Sequence, residues 1–216
     1  MGILAAVFGS SVLAAAPAGH SQASLTVLIY DLARVPPGDL ARAGQVAAAI
    51  FADAGIEAEW VAVPVSNRMD LLSDFSAAPA NGCRERRSDD TVRAQILPHA
   101  PTGFSLEALG YSLPCARRGI QVTLYADRIE AVSQHSLASF YRVLGHALAH
   151  EVGHVLLRSP AYENAGIMKP VWSRADWQRA AVTIIPFSPD QARGMREELR
   201  EMRSPDVVAA LQKARK

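Results

Sequence analysis

Between Leu25 and Val63 the chain reads as strand, helix, strand with short joints, and this order restricts the fold more than any other feature. Leu25-Thr26-Val27-Leu28-Ile29-Tyr30 is a compact β-rich run. Pro36-Pro37-Gly38-Asp39 marks a turn into a helix, with Asp39 the expected N-cap and Gly55 placed to stop the helix after about Ala54. Residues 56–63 form the second strand, ended by Pro64. Two strands joined by a helical crossover lie parallel, because the helix carries the chain back to the end of the sheet where it began. The expected class is therefore α/β: a small twisted mixed sheet with this first helix and a later one packed on it.

The later segments extend the sheet. Residues 92–97 and 120–125 read as strands, the latter alternating Ile, Val and Leu with Gln, Thr and Tyr. Residues 66–90 lack periodicity and form an expected irregular insertion, with one helical turn near 69–75. Residues 98–114 are broken by Pro and Gly, with a helical turn expected at 105–109. A long helix is expected from about Leu137 to Leu157. A loop with Gly166-Ile167-Met168 follows, then a segment bearing Trp172 and Trp177. Ser188-Pro189-Asp190 opens another helix, with proline in the first turn where its missing N–H costs nothing. A last short helix is expected at Ser204-Pro205.

The chain of 216 residues, 50% of them hydrophobic, suffices for one sizeable core. Its 22 basic and 21 acidic residues leave a net charge of +1, which argues against nucleic acid or an anionic membrane as partner. The basic clusters at 84–87 and 213–216 read as a solvated loop and terminus. Residues 3–16 are an apolar, Ala-rich run of signal-peptide length, followed by small residues at Ala16-Pro17-Ala18 and Ser21-Gln22-Ala23. The run is shorter than the roughly 20 residues of a membrane span. Residues 1–23 are thus expected to be a leader and 24–216 one domain, exported to the periplasm or secreted, with no stable span once the leader is removed. No Lys or Arg precedes the apolar run, which departs from the usual leader. Cys83 and Cys115 are the only cysteines. In an exported chain such a pair is expected to be bridged, and its spacing does not suit a cysteine zinc site.

The chemistry concentrates in His146-Ala147-Leu148-Ala149-His150-Glu151-Val152-Gly153-His154. Residues four apart on a helix lie one above the other, so His150 and His154 can aim two imidazoles at one ion. Glu151 lies roughly 100° round the helix and can act as general base on a water at the metal. Phe140, Leu144, Leu148, Val152, Val155 and Leu156 fall on one face, with the three histidines roughly opposite. Gly153 is expected to keep the histidine face open. His146 lies two turns from His154, about 12 Å along the axis, too far to share the ion with both others. An ordinary amphipathic helix with three surface histidines is the bland alternative. His20, His99 and His135 have no partner pattern, and no Gly-rich phosphate loop or Gly-x-Ser-x-Gly elbow occurs.

His150-Glu151-Val152-Gly153-His154-Val155-Leu156-Leu157, followed by Gly166-Ile167-Met168, resembles the zincin metallopeptidases, and within them the metzincin side. There a loop after the zinc helix brings the third ligand, and a methionine turn lies beneath the metal. It also resembles small exported bacterial zincin-like proteins, in which the helix leads through a His-Ser pair to Gly-Ile-Met and a Trp-bearing segment. The resemblance covers most of the mature chain and is most specific from Val143 to Trp172. It implies a zinc ion, a peptide or protein substrate, and Met168 as the floor of the site. The departure lies in the third ligand. The metzincin pattern places glycine and histidine where this chain has Leu157 and Pro160, and the exported relatives carry histidine where it has Tyr162. Tyr162 is the expected third ligand by position, with Glu163 the rival as the better oxygen donor for zinc.

The reading is zinc-dependent peptide-bond hydrolysis by an exported enzyme. Zinc sits on His150, His154 and a third ligand, and Glu151 takes a proton from water and passes it to the leaving amine. The alternative is a zinc-binding or inactive zincin-like module of the cell envelope, favoured by Tyr162 standing where a histidine is expected. Trp172 and Trp177 are expected as core or cleft-wall residues.

Overall fold

The computed structural model describes residues 23–64, 83, 90–105, 107–116, 119–160 and 162–203. The leader, the turn at 69–75, both basic clusters and the helix at 204 lie outside the described residues. Five strands form one sheet: β1 (Ala23–Asp31), β2 (Ile56–Val63), β3 (Thr91–Leu97), β4 (Gly110–Ser112) and β5 (Val122–Tyr125). Their order is β2-β1-β3-β5-β4. The β1–β2, β1–β3 and β3–β5 pairs are parallel, and β4 runs antiparallel to β5. The class is mixed α/β, as the strand–helix–strand order requires.

Strand β1 shows how the sheet is seated. Ala23, Leu25, Val27 and Ile29 are buried, while Ser24, Thr26, Leu28 and Tyr30 between them are half-buried. The period of two places every second side chain on the helical face. Helix α1 (Pro37–Asp53) buries Ala43, Val46, Ala47, Ile50 and Phe51. It starts earlier than expected: Pro36 is its N-cap, so Asp39 lies in the first turn and pairs with Arg42 at 2.6 Å. There the carboxylate still faces the positive end of the helix dipole. Gly55 takes φ +72°, the left-handed conformation that ends the helix.

The helix expected from about Leu137 to Leu157 forms as α3 (Phe140–Leu157), and a further helix not anticipated from the sequence, α2 (Ala126–His135), precedes it. Ser136 and Ser139 both take extended backbone between them, so the helical hydrogen bonding cannot run through. The helical turn expected at 105–109 is not formed among the described residues, and β4 follows directly. Helix α3 is not two-faced as its periodicity suggests. Val143 to Ala149, and Glu151 to Leu156, are buried on every side. A helix enclosed all round lies at the centre of a domain rather than on its surface. On one side it crosses α1 so closely that a Cβ on Gly145 would stand 2.7 Å from both the Ala43 carbonyl oxygen and Val46 Cβ.

Two further helices, α4 (Arg174–Val182) and α5 (Pro189–Met202), each open on a serine capping box, Ser173 with Asp176 and Ser188 with Gln191. Cys83 and Cys115 are joined by a disulfide, their Cα atoms 4.9 Å apart. The Cys83 carbonyl also accepts from the Arg158 guanidinium, at the end of α3. Among the described residues no helix is long and apolar enough to cross a membrane.

Candidate metal centre

His150 and His154 project from the last two turns of α3 with their Nε2 atoms 3.2 Å apart. Each ring is held from behind. His150 Nδ1 lies 2.7 Å from the Ile167 carbonyl oxygen, and His154 Nδ1 lies 2.9 Å from that of Ser159. A carbonyl oxygen only accepts, so each Nδ1 carries the proton and donates it. In the neutral rings both Nε2 atoms are then bare, and two lone pairs face each other across 3.2 Å. Such an arrangement calls for a cation between them. A proton is disfavoured there: burial pushes the His150 imidazole down to about 4, helped by His154, and also lowers His154. A zinc ion suits it, since two imidazoles at 2.0–2.1 Å on a tetrahedral ion stand roughly 3.3 Å apart. The residues present therefore fit the metal.

Glu151, one residue on from His150, is buried, and that burial pushes its carboxyl up to about 7 against the pull of a hydrogen bond from the Ser112 side chain. The group is thus divided between its protonated and ionised forms near neutral pH, the condition for a proton carrier. Ser112 has no motif to announce it. It reaches Glu151 because β4 folds back along β5 in register Ser112 with Val122, a long-range pairing that local sequence does not encode.

Tyr162 comes to both histidines. Its ring stacks on His150 with centroids 5.9 Å apart, and meets His154 edge-on at 5.0 Å. Glu163 is exposed, and its backbone N–H donates to the Met168 carbonyl oxygen at 3.0 Å. Among the described residues no three His, Cys, Asp or Glu side chains stand together in a group that could hold a metal. Tyr162 is thus the side chain gathered with the imidazole pair.

His146 borders the same cleft as His150 and Glu151 but has no nitrogen to offer there. It is fully buried, and both ring nitrogens are engaged: Ile185 N–H donates to Nε2 at 3.2 Å, and Nδ1 donates to the Arg142 carbonyl oxygen at 2.7 Å. No lone pair is left for a metal. Gly153 does not open the face either. A Cβ there would lie 2.7 Å from Phe187 Cε1 and 3.0 Å from Met168 Sδ. Its lack of a side chain lets the 166–168 turn and Phe187 close onto the helix, which leaves Met168 buried against the turn that carries His154.

A cleft of about 300 Å³ runs past these groups, bounded by His150, Glu151 and Tyr162 on one side and by Trp172, Trp177 and Val132 on others. The tryptophans pack together at 4.5 Å between ring centroids, so they form a cleft wall. Lys169 also faces the cleft, held 2.5 Å from the buried carboxylate of Asp176.

Fold and site together describe a mixed α/β domain whose central helix presents an imidazole pair beside a buried carboxylate. No family model and no curated protein matches the chain. Among solved structures it is similar to a zinc-dependent peptidase from Methanocorpusculum labreanum, with 13% identity, 79% of this chain and 99% of that one covered, and a TM-score of 0.49. It is also similar to archaemetzincin from Methanopyrus kandleri, at 13% identity, 82% and 97% coverage and a TM-score of 0.47. Metalloproteinase-II from Bacteroides fragilis matches at 14% identity over 82% of this chain and 54% of that one, with a TM-score of 0.47. Function does not follow from likeness at this distance, and the chemistry has to be read from the side chains of this chain.

Proposed function

We propose that the chain is an exported zinc-dependent peptidase, with residues 24–216 forming one catalytic domain. The observation that carries this reading is the pair of facing Nε2 atoms, each ring locked by a carbonyl behind it, with Glu151 alongside. His150 and His154 would hold the zinc through Nε2, with Tyr162 as third ligand and Glu163 as its rival. Bound there, zinc supplies a Lewis acid that acidifies water and polarises a scissile carbonyl.

The remaining chemistry belongs to the chain. Glu151 takes the proton of the attacking water and hands it to the departing amine, and its carboxyl sits where both transfers are feasible near pH 7. Ser112 keeps that carboxylate turned to the cleft. The Ile167 and Ser159 carbonyls hold each imidazole in the tautomer with a bare Nε2. Strand β4 is the edge of the sheet, and Leu109 and Gly110 line the cleft. An edge strand offers unpaired backbone groups to an extended peptide, which supports a peptide as substrate. The disulfide agrees with an oxidising compartment.

Metal analysis of the purified protein beside a Glu151→Gln variant tests the reading. Both proteins should hold about one zinc per chain, and the variant should hydrolyse a peptide library at least roughly 100-fold more slowly. Parental turnover by the variant would remove Glu151 from the role. Tyr162, standing where the exported zincin-like proteins that the motif resembles carry histidine, favours a second reading, a zinc-binding module without turnover. Zinc in the parental protein without hydrolysis would select it.

A further inference from the structure

Helix α3 carries a third histidine that the proposed chemistry leaves unused. A fully buried imidazole needs a reason, since an unsatisfied polar group in the core is costly. Its two hydrogen bonds supply one. Nε2 accepts from the Ile185 N–H and Nδ1 donates to the Arg142 carbonyl, so the ring is neutral and its tautomer is settled. The path continues past it. Pro186, next in the chain, offers its carbonyl oxygen to the Ile167 N–H at 3.1 Å. The same residue, Ile167, then presents its own carbonyl oxygen to His150 Nδ1 at 2.7 Å. The circuit leaves α3 at His146, runs through the strap 184–187 and the turn 166–168, and returns to α3 one turn later at His150. Phe187, at the end of the strap, is pinned against Gly153, and the Trp172 ring meets His146 edge-on at 5.5 Å between centroids.

We propose that His146 is a positioning residue for His150: by holding the strap to the helix it fixes the carbonyl that sets the tautomer and aim of that ligand. The proposal rests on His150 being a metal ligand, and it accounts for a histidine at the i−4 position from it that has no free nitrogen of its own. The strap has no regular secondary structure; the Arg142 guanidinium ties the Ala180 and Thr183 carbonyls just before it to α3, and the His146 bond to Ile185 carries that attachment into the strap itself. Packing tolerates slippage, whereas a hydrogen bond weakens steeply once its angle departs from linear. His146 converts a loosely registered segment into one placed closely enough to orient an imidazole.

The test compares three substitutions. His146→Phe keeps the ring volume and removes the acceptor. His146→Gln places an amide oxygen near the lost Nε2 and restores an acceptor for Ile185. His146→Asn is too short to reach it. Zinc affinity is measured by competition with a chelating dye, and the cobalt-substituted protein is examined by visible absorption. Nitrogen-15 shifts of His150 in the chelator-treated protein report its tautomer without any metal. The Phe and Asn variants should bind zinc about 10-fold or more weakly, shift the cobalt bands, and show His150 in mixed tautomers. The Gln variant should recover most of all three. Should the Phe variant fail to fold, the Gln and Asn pair decides. Equal zinc affinity and an unmixed Nδ1–H tautomer of His150 in Gln and Asn alike would overturn the proposal. A parental protein that binds no zinc would instead refute the metal reading, while the tautomer measurement still judges His146.

Discussion

Gly153 offers the sharpest test of how the turn 166–168 is held against α3. Glycine to alanine inside a helix ordinarily gains about 1 kcal/mol, because alanine has less backbone freedom to lose. At Gly153 that gain meets a collision. Carbon atoms in contact sit about 3.5–4.0 Å apart, whereas the new Cβ would lie 2.7 Å from Phe187 Cε1 and 3.0 Å from Met168 Sδ. The Phe187 ring has no room to swing, being buried and packed on Phe51 at 5.2 Å between centroids. Overpacking of this kind costs about 1–3 kcal/mol, which meets or exceeds the helix gain. Gly194 on α5 provides the control, since a Cβ there would meet only Leu157 Cδ2 at an ordinary 3.6 Å. Gly194→Ala should therefore raise the melting temperature and Gly153→Ala should not. The two should differ by about 1–3 kcal/mol, at roughly 2–4 °C per kcal/mol for a domain of this size. Thermal melts of the metal-free proteins measure this, and chelator competition should show weaker zinc binding for Gly153→Ala alone. Equal rises in melting temperature, with zinc affinity unchanged in both, would refute the close packing on which the site description rests.

Tyr162→Phe and Glu163→Gln, made singly, should weaken zinc binding by about 10-fold or more in the tyrosine variant only, and Tyr162→His should tighten it; unchanged affinity in all three would place the third ligand elsewhere. Burial alone would raise the Asp176 carboxyl, but hydrogen bonds from Lys169 and Ser173 and the Lys169 charge outweigh it and hold the group well below the usual carboxylate range. A carboxyl depressed in the fold adds stability above the ordinary value of about 4 and loses it on acidification. The melting-temperature gap between the parent and Asp176→Asn should accordingly shrink from pH 7 to pH 3, and a constant gap would contradict the charge assignment. Protein purified without reductant should show no free thiol under denaturing conditions, and replacing Cys83 and Cys115 by serine should cost about 3 kcal/mol in denaturant titrations; two reactive thiols per native chain would count against the bridge.

Much of this protein is written in local spacing. The βαβ start was legible because a compact β-rich run from Leu25 to Tyr30, a helical run and Gly55 each act within a few residues. The alignment of His150 with His154 was legible for the same reason, since a four-residue step on a helix is set by bonded geometry. Other features depended on segments far apart in the chain. Periodicity put His146 on a histidine face, yet it could not say that the strap 184–187 would reach that face and occupy Nε2 while the Arg142 carbonyl takes Nδ1. Gly153 looked like an open place, and only the packing of Phe187 and Met168 made it a point of contact. Strand β4 is too short for any alternation to show, so neither the sheet edge nor Ser112 beside Glu151 could be anticipated. His150, Glu151 and His154 could be singled out from the sequence because their spacing is local; their tautomers, their burial and the arrival of Tyr162 over both imidazoles were decided by tertiary contacts, because these arise only when loops distant in sequence close on the same helix.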